Sequence, residues 1–253
     1  MVLNIAAYKF VRIADPDALA LQLRTLAETG GLLGTVLVAH EGLNLFLAGA
    51  DAAMDRFVES LRDDPRFMDI AIKRSRSDTQ PFARLKVKVK SEIISFRQCD
   101  ASPLESRAPA VSPATLARWI AQRCDDEGKR LVLLDTRNRQ EVAHGSFTDA
   151  LSLPIDTFTQ FPEAVSRHRE ALAGAAVVSF CTGGIRCEKA AMWMRANGMD
   201  NVLQLDGGIL GYFEQVGGQG YEGRCFVFDE RVALDPALQP MMLFRSKIMG
   251  QGG

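Results

Sequence analysis

One cysteine of this chain stands where a thiol could be activated. The stretch "SFCTGGIRCEKA", residues 179–190, places Cys181 after a buried apolar run and before apolar residues at helical spacing. Gly183 and Gly184 allow the backbone between Cys181 and Arg186 to curl, so that successive N–H groups point at one position. The positive end of the following helix dipole lies at the same position. Such a site favours a thiolate over a thiol, which predicts a nucleophilic Cys181.

The other residues of this stretch have predicted supporting roles. Arg186 is expected to fix the turn or to hold an anionic group. Cys187 is either a core residue or a resolving thiol that attacks an oxidised or persulfidated Cys181. Glu188 and Lys189 are expected to cap the helix or to lie on its surface. The predicted active-site loop consists of Cys181, Thr182, Gly183, Gly184, Ile185 and Arg186.

The composition gives no indication of a cofactor. The five cysteines are scattered, the three histidines stand far apart, and no Cys-x-x-Cys, His-Glu-x-x-His or Gly-x-x-x-x-Gly-Lys motif occurs. We therefore predict no metal site and no disulfide framework. A net charge of -1 provides no overall attraction for nucleic acid or anionic lipid. No apolar run approaches the roughly 20 residues that cross a bilayer, and no signal peptide is evident, so the expected location is the cytoplasm, away from membranes.

The first 97 residues predict a ferredoxin-like (split βαβ), or acylphosphatase-like, domain. An apolar strand at 4–13 precedes a helix that begins at Asp15-Pro16, where an acidic N-cap is followed by proline. A hairpin around Glu41-Gly42 and a second helix follow, and further strands complete the order β-α-β-β-α-β.

The second half of the chain predicts a parallel sheet. Residues 98–112 mix proline, serine and charge and are interpreted as a linker. Residues 113–220 alternate helices, including one long helix at 161–174, with buried strands, and residues 221–253 are interpreted as a C-terminal tail. The fold class is thus α/β with two units. Ligand sites of parallel sheets lie beyond the carboxyl ends of the strands, and Cys181 follows such an end.

A basic strand in the first half has two interpretations. In "RLKVKVK" the side chains of Arg84, Lys86, Lys88 and Lys90 share one strand face. This face is either a solvated edge that blocks strand pairing or a contact surface for the phosphate backbone of RNA.

The second half resembles the rhodanese domain, which supports the predicted fold. Its cysteine-to-arginine loop has the six-residue length of rhodaneses and is one residue shorter than that of the related phosphatases. Upstream, "LLDTRNRQEVAHGSFTDALSLP" follows the rhodanese pattern, except that Ser146 stands where a histidine is usual. The Asp-x-Arg pair of this stretch is expected to be structural, supporting the cysteine loop or contacts between the domains. The matching residues are Asp135, Arg137, Glu141, Gly145, Ala150 and Pro154.

Over nearly its whole length the chain resembles the TrhO (YceA/UPF0176) family of tRNA uridine hydroxylases. The resemblance rests on "AHEGLN" at 39–44, "CTGGIRCEKA" at 181–190, "DGGI" at 206–209 and "FVFDER" at 226–231. It implies an enzyme that forms 5-hydroxyuridine at wobble position 34 in an oxygen-dependent reaction. The implied partner is the tRNA anticodon stem-loop and the implied co-substrate is molecular oxygen; neither an electron donor nor a protein partner is indicated.

A cysteine suits this chemistry, because a nucleophile at C6 of uracil makes C5 electron-rich. Our hypothesis is that the Cys181 thiolate, or a persulfide on it, adds at C6 and that the resulting enolate captures an oxygen species. Arg186 and the loop N–H groups would stabilise the developing charge. Tyr8, Phe82 and Phe96 are candidates for stacking on bases. Two alternatives stay open: a sulfurtransferase that uses a Cys181 persulfide, and a non-catalytic rhodanese-like binding module.

Overall fold

The computed structural model describes residues 1–98, 102–104 and 107–240, and Cys99 lies outside them. The N-terminal unit has the predicted β-α-β-β-α-β order plus one further strand. Its elements are β1 (Val2–Phe10), α1 (Pro16–Thr29), β2 (Leu33–Ala39), β3 (Gly42–Gly49), α2 (Asp51–Arg62), β4 (Lys73–Ser77) and β5 (Leu85–Val89).

The sheet of this unit has the strand order β4-β1-β3-β2-β5. The predicted hairpin is present as β2 and β3, whereas β5 pairs parallel to β2 and forms an edge. The carboxylate of Asp15 accepts the Ala18 N–H at 2.9 Å and so caps α1, as predicted. Alternate residues of the strands, such as Ile5 and Leu47, are buried with residues of α1 and α2 in one apolar cluster. Both helices therefore cover the same side of the sheet.

The opposite side of this sheet, here called the site face, is defined by its cross-strand pairs. Lys73 pairs with Ala6, Ala6 with Phe46, Phe46 with Thr35, and Thr35 with Lys86. Residues directly opposite one another on paired strands point to the same side of a sheet. Lys73 and Lys86 thus stand on one face at its two edges, four strand spacings or about 19 Å apart.

The second unit is a parallel sheet, as predicted, with the strand order β6-β11-β10-β7-β9. Its elements are β6 (Ala110–Val111), α3 (Pro113–Gln122), β7 (Leu131–Asp135), α4 (Arg139–Val142), β8 (Gly145–Phe147), β9 (Leu151–Ser152), a 3-10 turn (Phe158–Gln160), α5 (Phe161–Ser166), α6 (Arg169–Leu172), β10 (Ala176–Phe180), α7 (Ile185–Ala196), β11 (Val202–Leu205), α8 (Gly208–Val216), β12 (Tyr221–Gly223), β13 (Cys225–Phe226) and β14 (Ala233–Leu234).

Helices cover both faces of this sheet, and every residue of the central strand β10 is buried. α3 and α8 pack on one face, and α5, α6 and α7 pack on the other. The single long helix expected at 161–174 is wrong: the chain forms two short helices, α5 and α6, separated at residues 167–168. β6 lies within the predicted linker and pairs with β11.

Residues that follow α8 pack back onto the second unit. β12 pairs with β8, and β13 and β14 form a hairpin, here called the strap hairpin.

A Gly-x-Gly-x-x-Gly string occurs at 218–223. It follows a helix rather than a strand, so it lacks the context of a dinucleotide-binding turn. No helix of the described residues is long and apolar enough to cross a membrane.

Buried charges join the two units, and the expectation that Glu188 and Lys189 lie on the surface is wrong. The Lys189 ammonium contacts Glu41 at 2.9 Å and Glu92 at 2.8 Å, and its side chain is 3% exposed. Glu188 accepts hydrogen bonds from Arg107 and from the Tyr8 hydroxyl, the latter at 2.9 Å. The first turn of α7 is buried because the N-terminal unit covers it, which helical periodicity alone does not reveal.

Candidate active site

The loop that carries Cys181 connects β10 to α7 and encloses the sulfur. The Gly184 N–H donates to the Cys181 Sγ at 3.1 Å. Gly184 has a φ of 106°, a left-handed conformation that favours glycine, and a Cβ at this position would lie 2.8 Å from the Tyr8 hydroxyl. The Ile209 N–H donates to the Cys181 carbonyl at 2.9 Å, which ties the loop to the start of α8.

The surroundings of Cys181 stabilise its thiolate. Burial alone would raise the pKa of this thiol. A hydrogen bond from Cys187, the charge of Arg186 and the N–H groups of Arg186 and Gly184 outweigh burial and lower the Cys181 pKa to about 5. The backbone N–H groups are the nest and helix start that were inferred from the sequence. The hydrogen bond from the second thiol, Cys187, was not. Cys181 is therefore a thiolate near neutral pH.

Cys187 lies in the first turn of α7, beside the nucleophile. Burial and the neighbouring Cys181 thiolate raise the pKa of Cys187 well above its ordinary value, so it stays protonated and donates its hydrogen bond. The Thr136 hydroxyl lies 3.6 Å from its sulfur. This position is compatible with both predicted roles, packing in the core and resolving an oxidised Cys181.

Arg186 forms a buried, two-bond ion pair with Glu141. Two parallel hydrogen bonds of 2.7 and 2.6 Å join the guanidinium to the Glu141 carboxylate, and both side chains are buried. The pair fixes the end of the loop to α4. Arg186 therefore acts on Cys181 through its charge and its backbone N–H, while its side-chain donors are turned towards Glu141.

Asp135 and Arg137 form a second buried pair, next to the loop rather than within it. The Arg137 guanidinium bonds the Asp135 carboxylate at 2.9 and 2.6 Å and the Gly145 carbonyl at 2.7 Å. It also lies 5.9 Å from the ring centre of Phe180, the residue before Cys181. Ser146, where rhodaneses usually have histidine, donates to Asp135 at 2.7 Å. The pair braces the connection between β7 and β8.

The N-terminal unit contributes two residues that the motifs did not reveal. The Tyr8 hydroxyl stands over Gly184, and burial, followed by the Glu188 charge, raises the Tyr8 pKa well above its ordinary value. The Lys73 ammonium donates to the Gly183 carbonyl at 3.0 Å and lies 5.8 Å from the Tyr8 ring centre. In the sequence, Lys73 belongs to a second basic stretch with Arg74 and Arg76, and this stretch was the one sequence feature that could have indicated the contact.

The strap hairpin lies across the loop and touches both units. The Thr182 hydroxyl donates to the Phe226 carbonyl at 3.3 Å, and Arg231 donates to the Ser75 hydroxyl at 2.7 Å. At its tip, Phe228 is 52% exposed and its ring centre lies 5.9 Å from the Arg186 guanidinium. A narrow cleft, here called the interdomain cleft, separates the site face from the strap hairpin and α8, and Thr182 is the residue of the loop that lines it. Its lining includes Phe46, Lys73, Phe82, Thr182, Phe228 and Arg231.

The predicted RNA-contact residues lie on the site face, away from the loop. Lys86 and Lys88 lie on β5 at the edge opposite β4, and Arg84 and Lys90 flank that strand; all four are exposed. Phe96 is fully buried and stacks on Phe158, so the expectation that it could stack on a base is wrong.

The structure also describes two further cysteines, Cys124 and Cys225, and the side chains that could act as metal ligands. Cys225 is buried, and burial raises its pKa to about 12, so it stays a thiol. Cys124 is partly buried and lies beside Arg130 at an isolated bridge. Across residues 1–98, 102–104 and 107–240, no group of three or more His, Cys, Asp or Glu side chains could hold a metal ion.

Comparison with known proteins agrees with this architecture along the chain. A family model of the UPF0176 acylphosphatase-like domain matches residues 2–93, and one of the rhodanese-like domain matches residues 116–215. The chain is 65% identical over 242 residues to the tRNA uridine(34) hydroxylase of Xanthomonas euvesicatoria pv. vesicatoria, an alignment covering 96% of this chain and 98% of the relative. It is 61% identical over 241 residues to the protein of that name from Xylella fastidiosa, covering 95% and 94%. The predicted domain types are confirmed.

Proposed function

The chain belongs to the tRNA uridine(34) hydroxylase family, and we propose that it converts the uridine at position 34 of tRNA into 5-hydroxyuridine. The observation that carries the proposal is the placement of a stabilised Cys181 thiolate beside the site face, whose far edge is basic. The two units thus offer one nucleophile and one phosphate-binding surface on the same side of the molecule.

The proposed reaction replaces the C5–H bond of uracil by C5–OH, which oxidises the base by two electrons. Molecular oxygen is the proposed co-substrate: one of its atoms enters the base, and the other is reduced to water by an external two-electron donor. The chain's own contribution is the activation of C5. Addition of the Cys181 sulfur at C6 moves electron density to C5 and O4, and later expulsion of the thiolate restores the aromatic base.

The geometry supports this role for Cys181. A thiolate with a pKa of about 5 is present without a general base, and the Cys187 thiol beside it is protonated. Preorganised N–H groups such as that of Gly184 stabilise a negative charge without reorganising during the reaction. Cys187 has a second proposed role as the resolving thiol that rescues Cys181 if oxygen converts it to a sulfenic acid.

The site face is the proposed seat of the anticodon stem-loop. The exposed cations of Arg84, Lys86, Lys88 and Lys90 would contact phosphates, while position 34 reaches the loop at the other edge. The two edges of the sheet are about 19 Å apart, which is four strand spacings. One stem-loop can therefore contact the cations at one edge and the loop at the other edge at the same time. The proposed tRNA substrate supports the cytoplasm as the proposed location.

Nucleoside mass spectrometry of tRNA tests the proposal directly. Cells that lack their own hydroxylase are supplied with this chain, with Cys181→Ala, or with Cys124→Ala as a cysteine control outside the site. The intact chain and Cys124→Ala should restore 5-hydroxyuridine, and Cys181→Ala should not. Restoration by Cys181→Ala would refute a nucleophilic role for Cys181.

A sulfurtransferase would need the Cys181 loop but would not need the basic edge of the site face. Charge reversal by Lys86→Glu and Lys88→Glu therefore separates the two activities. The double variant should bind tRNA more weakly and form less 5-hydroxyuridine. If instead the intact chain transfers sulfur from thiosulfate and never forms 5-hydroxyuridine, the sulfurtransferase alternative replaces the proposal.

A further inference from the structure

Lys73 is a cation at the cysteine loop that no carboxylate neutralises. Within the described part of the chain its ammonium has two partners, the Gly183 carbonyl and the Tyr8 ring, and forms no ion pair. The Cys181 thiolate is the strongest negative charge that acts on it, followed at longer range by Asp206, Glu214 and Glu188. Its position at the edge of the site face directs the charge into the interdomain cleft.

Lys73 is partly buried, and the fully buried cations of this region are matched by carboxylates. Buried charges are ordinarily paired, because an isolated charge is costly to remove from water. Lys73 has no carboxylate partner, and the Cys181 thiolate is the anion it faces. When the sulfur forms a bond to a substrate, that negative charge moves onto the substrate, where the Lys73 ammonium is placed to meet it. The matched pairs are Arg186 with Glu141, Arg137 with Asp135, and Lys189 with Glu41 and Glu92.

We propose that the interdomain cleft holds the target uracil and that Lys73 is a catalytic residue whose ammonium contacts O4 of the base. This inference rests on the proposed function and deepens it. Phe46, Phe82 and Phe228 give the cleft apolar ring faces suited to a pyrimidine. Cys181 is 1% exposed and does not itself line the cleft, so the proposal requires the strap hairpin, which is bonded to Thr182, to move aside when the base enters.

The step that Lys73 assists balances without any oxidant. The Cys181 thiolate forms a bond to C6, the C5–C6 π electrons move towards C4, and the negative charge passes from sulfur to O4. Lys73 stays protonated and stabilises this enolate. Without oxygen, C5 takes a proton from water, and reversal then returns a C5 proton to water and expels the thiolate. The net result is exchange of the C5 hydrogen with solvent, with no change of oxidation state.

Anaerobic exchange of tritium from tRNA that carries [5-³H]uridine measures this step alone. Lys73→Met removes the charge and keeps the chain length, and Lys73→Arg keeps the charge. Arg76→Met is the matched control, since Arg76 lies on the same strand but points to the other side of the sheet, where it pairs with Asp51. Thermal unfolding and tRNA affinity are measured for each variant.

Lys73→Met should lower the exchange rate at saturating tRNA by about 100-fold or more, the usual effect of losing one preorganised donor to a developing oxyanion. Lys73→Arg should restore at least part of that loss, and Arg76→Met should exchange normally. A Lys73→Met variant that exchanges at the normal rate once saturated with tRNA would overturn the inference, as would failure of Lys73→Arg to restore any exchange while remaining folded. If the intact chain forms 5-hydroxyuridine in cells but never exchanges C5 hydrogen, this inference fails and the proposed function stands.

Discussion

Replacing Cys187 by alanine should raise the pKa of Cys181 without moving the loop. The Cys187 thiol donates a hydrogen bond to the Cys181 thiolate, and this bond is the largest of the contributions that lower the pKa. A hydrogen bond to a charged group contributes about 1.5–3 kcal/mol. At about 1.4 kcal/mol per pKa unit, its loss raises the pKa by about 1–2 units. Cys187→Ala should therefore move the Cys181 pKa from about 5 to about 6–7.

Ultraviolet titration of the thiolate checks this value. The signal of Cys181 is isolated by subtracting the titration of the same protein with Cys181→Ala. At pH 6 the intact site should be about nine-tenths thiolate, and a site whose pKa is about 6.5 should be about one-quarter thiolate. Cys187→Ser is the matched control, because its hydroxyl still donates and should recover most of the shift.

Acid stability provides a second readout with a defined sign. The folded-state pKa of Cys181, about 5, lies below the unfolded value of about 8.5. The thiolate therefore contributes stability that is fully present above about pH 8.5 and is lost as the pH falls through about 5. In Cys187→Ala this loss should occur at higher pH. An unchanged Cys181 titration in Cys187→Ala would refute the hydrogen bond as a cause and leave Arg186 and the loop N–H groups as the source of the shift.

Three further substitutions probe the support of the loop. Ser146→Ala removes a donor from the buried Asp135 carboxylate and should lower the free energy of unfolding in urea by about 1–3 kcal/mol. Gly184→Ala places a Cβ 2.8 Å from the Tyr8 hydroxyl at a φ of 106°, and should cost about 1–3 kcal/mol in the same assay together with most of the activity. Lys189→Met leaves two partly buried carboxylates without their cation and should cost about 1.5–3 kcal/mol, with faster proteolysis between the two units.

Matched variants separate the causes of these effects. Ser146→Thr keeps the hydroxyl and should lose little stability. Gly31→Ala places an alanine at a left-handed φ of 62° with no atom within 4 Å of the added Cβ, so it reports the cost of a left-handed backbone without any steric contact. Adding Glu41→Gln to Lys189→Met should recover stability. If it does not, the interpretation of Lys189 as the neutraliser of that carboxylate is wrong.

The sequence by itself determined the features whose causes are local. A buried strand, a turn with two glycines and a helix start are consecutive in the chain, so the environment that lowers the Cys181 pKa could be inferred from residue types and spacing. The β-α-β-β-α-β order of the N-terminal unit followed from periodicity in the same way, whereas the break between α5 and α6 did not. Arg186 was correctly located at the loop, but its partner Glu141 lies 45 positions earlier, and the spacing of the loop gives no information about it.

Tertiary structure alone decided what surrounds the loop. Lys73 meets Gly183 across 110 positions of sequence, and Tyr8 meets Glu188 across 180. The pairing of strands placed Lys73 on the site face, and the packing of the two units buried the first turn of α7. Such contacts depend on how two separate sheets meet, and that depends on the summed burial of many side chains rather than on any local pattern. For this reason the nucleophile could be found from the sequence, and the cation that completes its site could not.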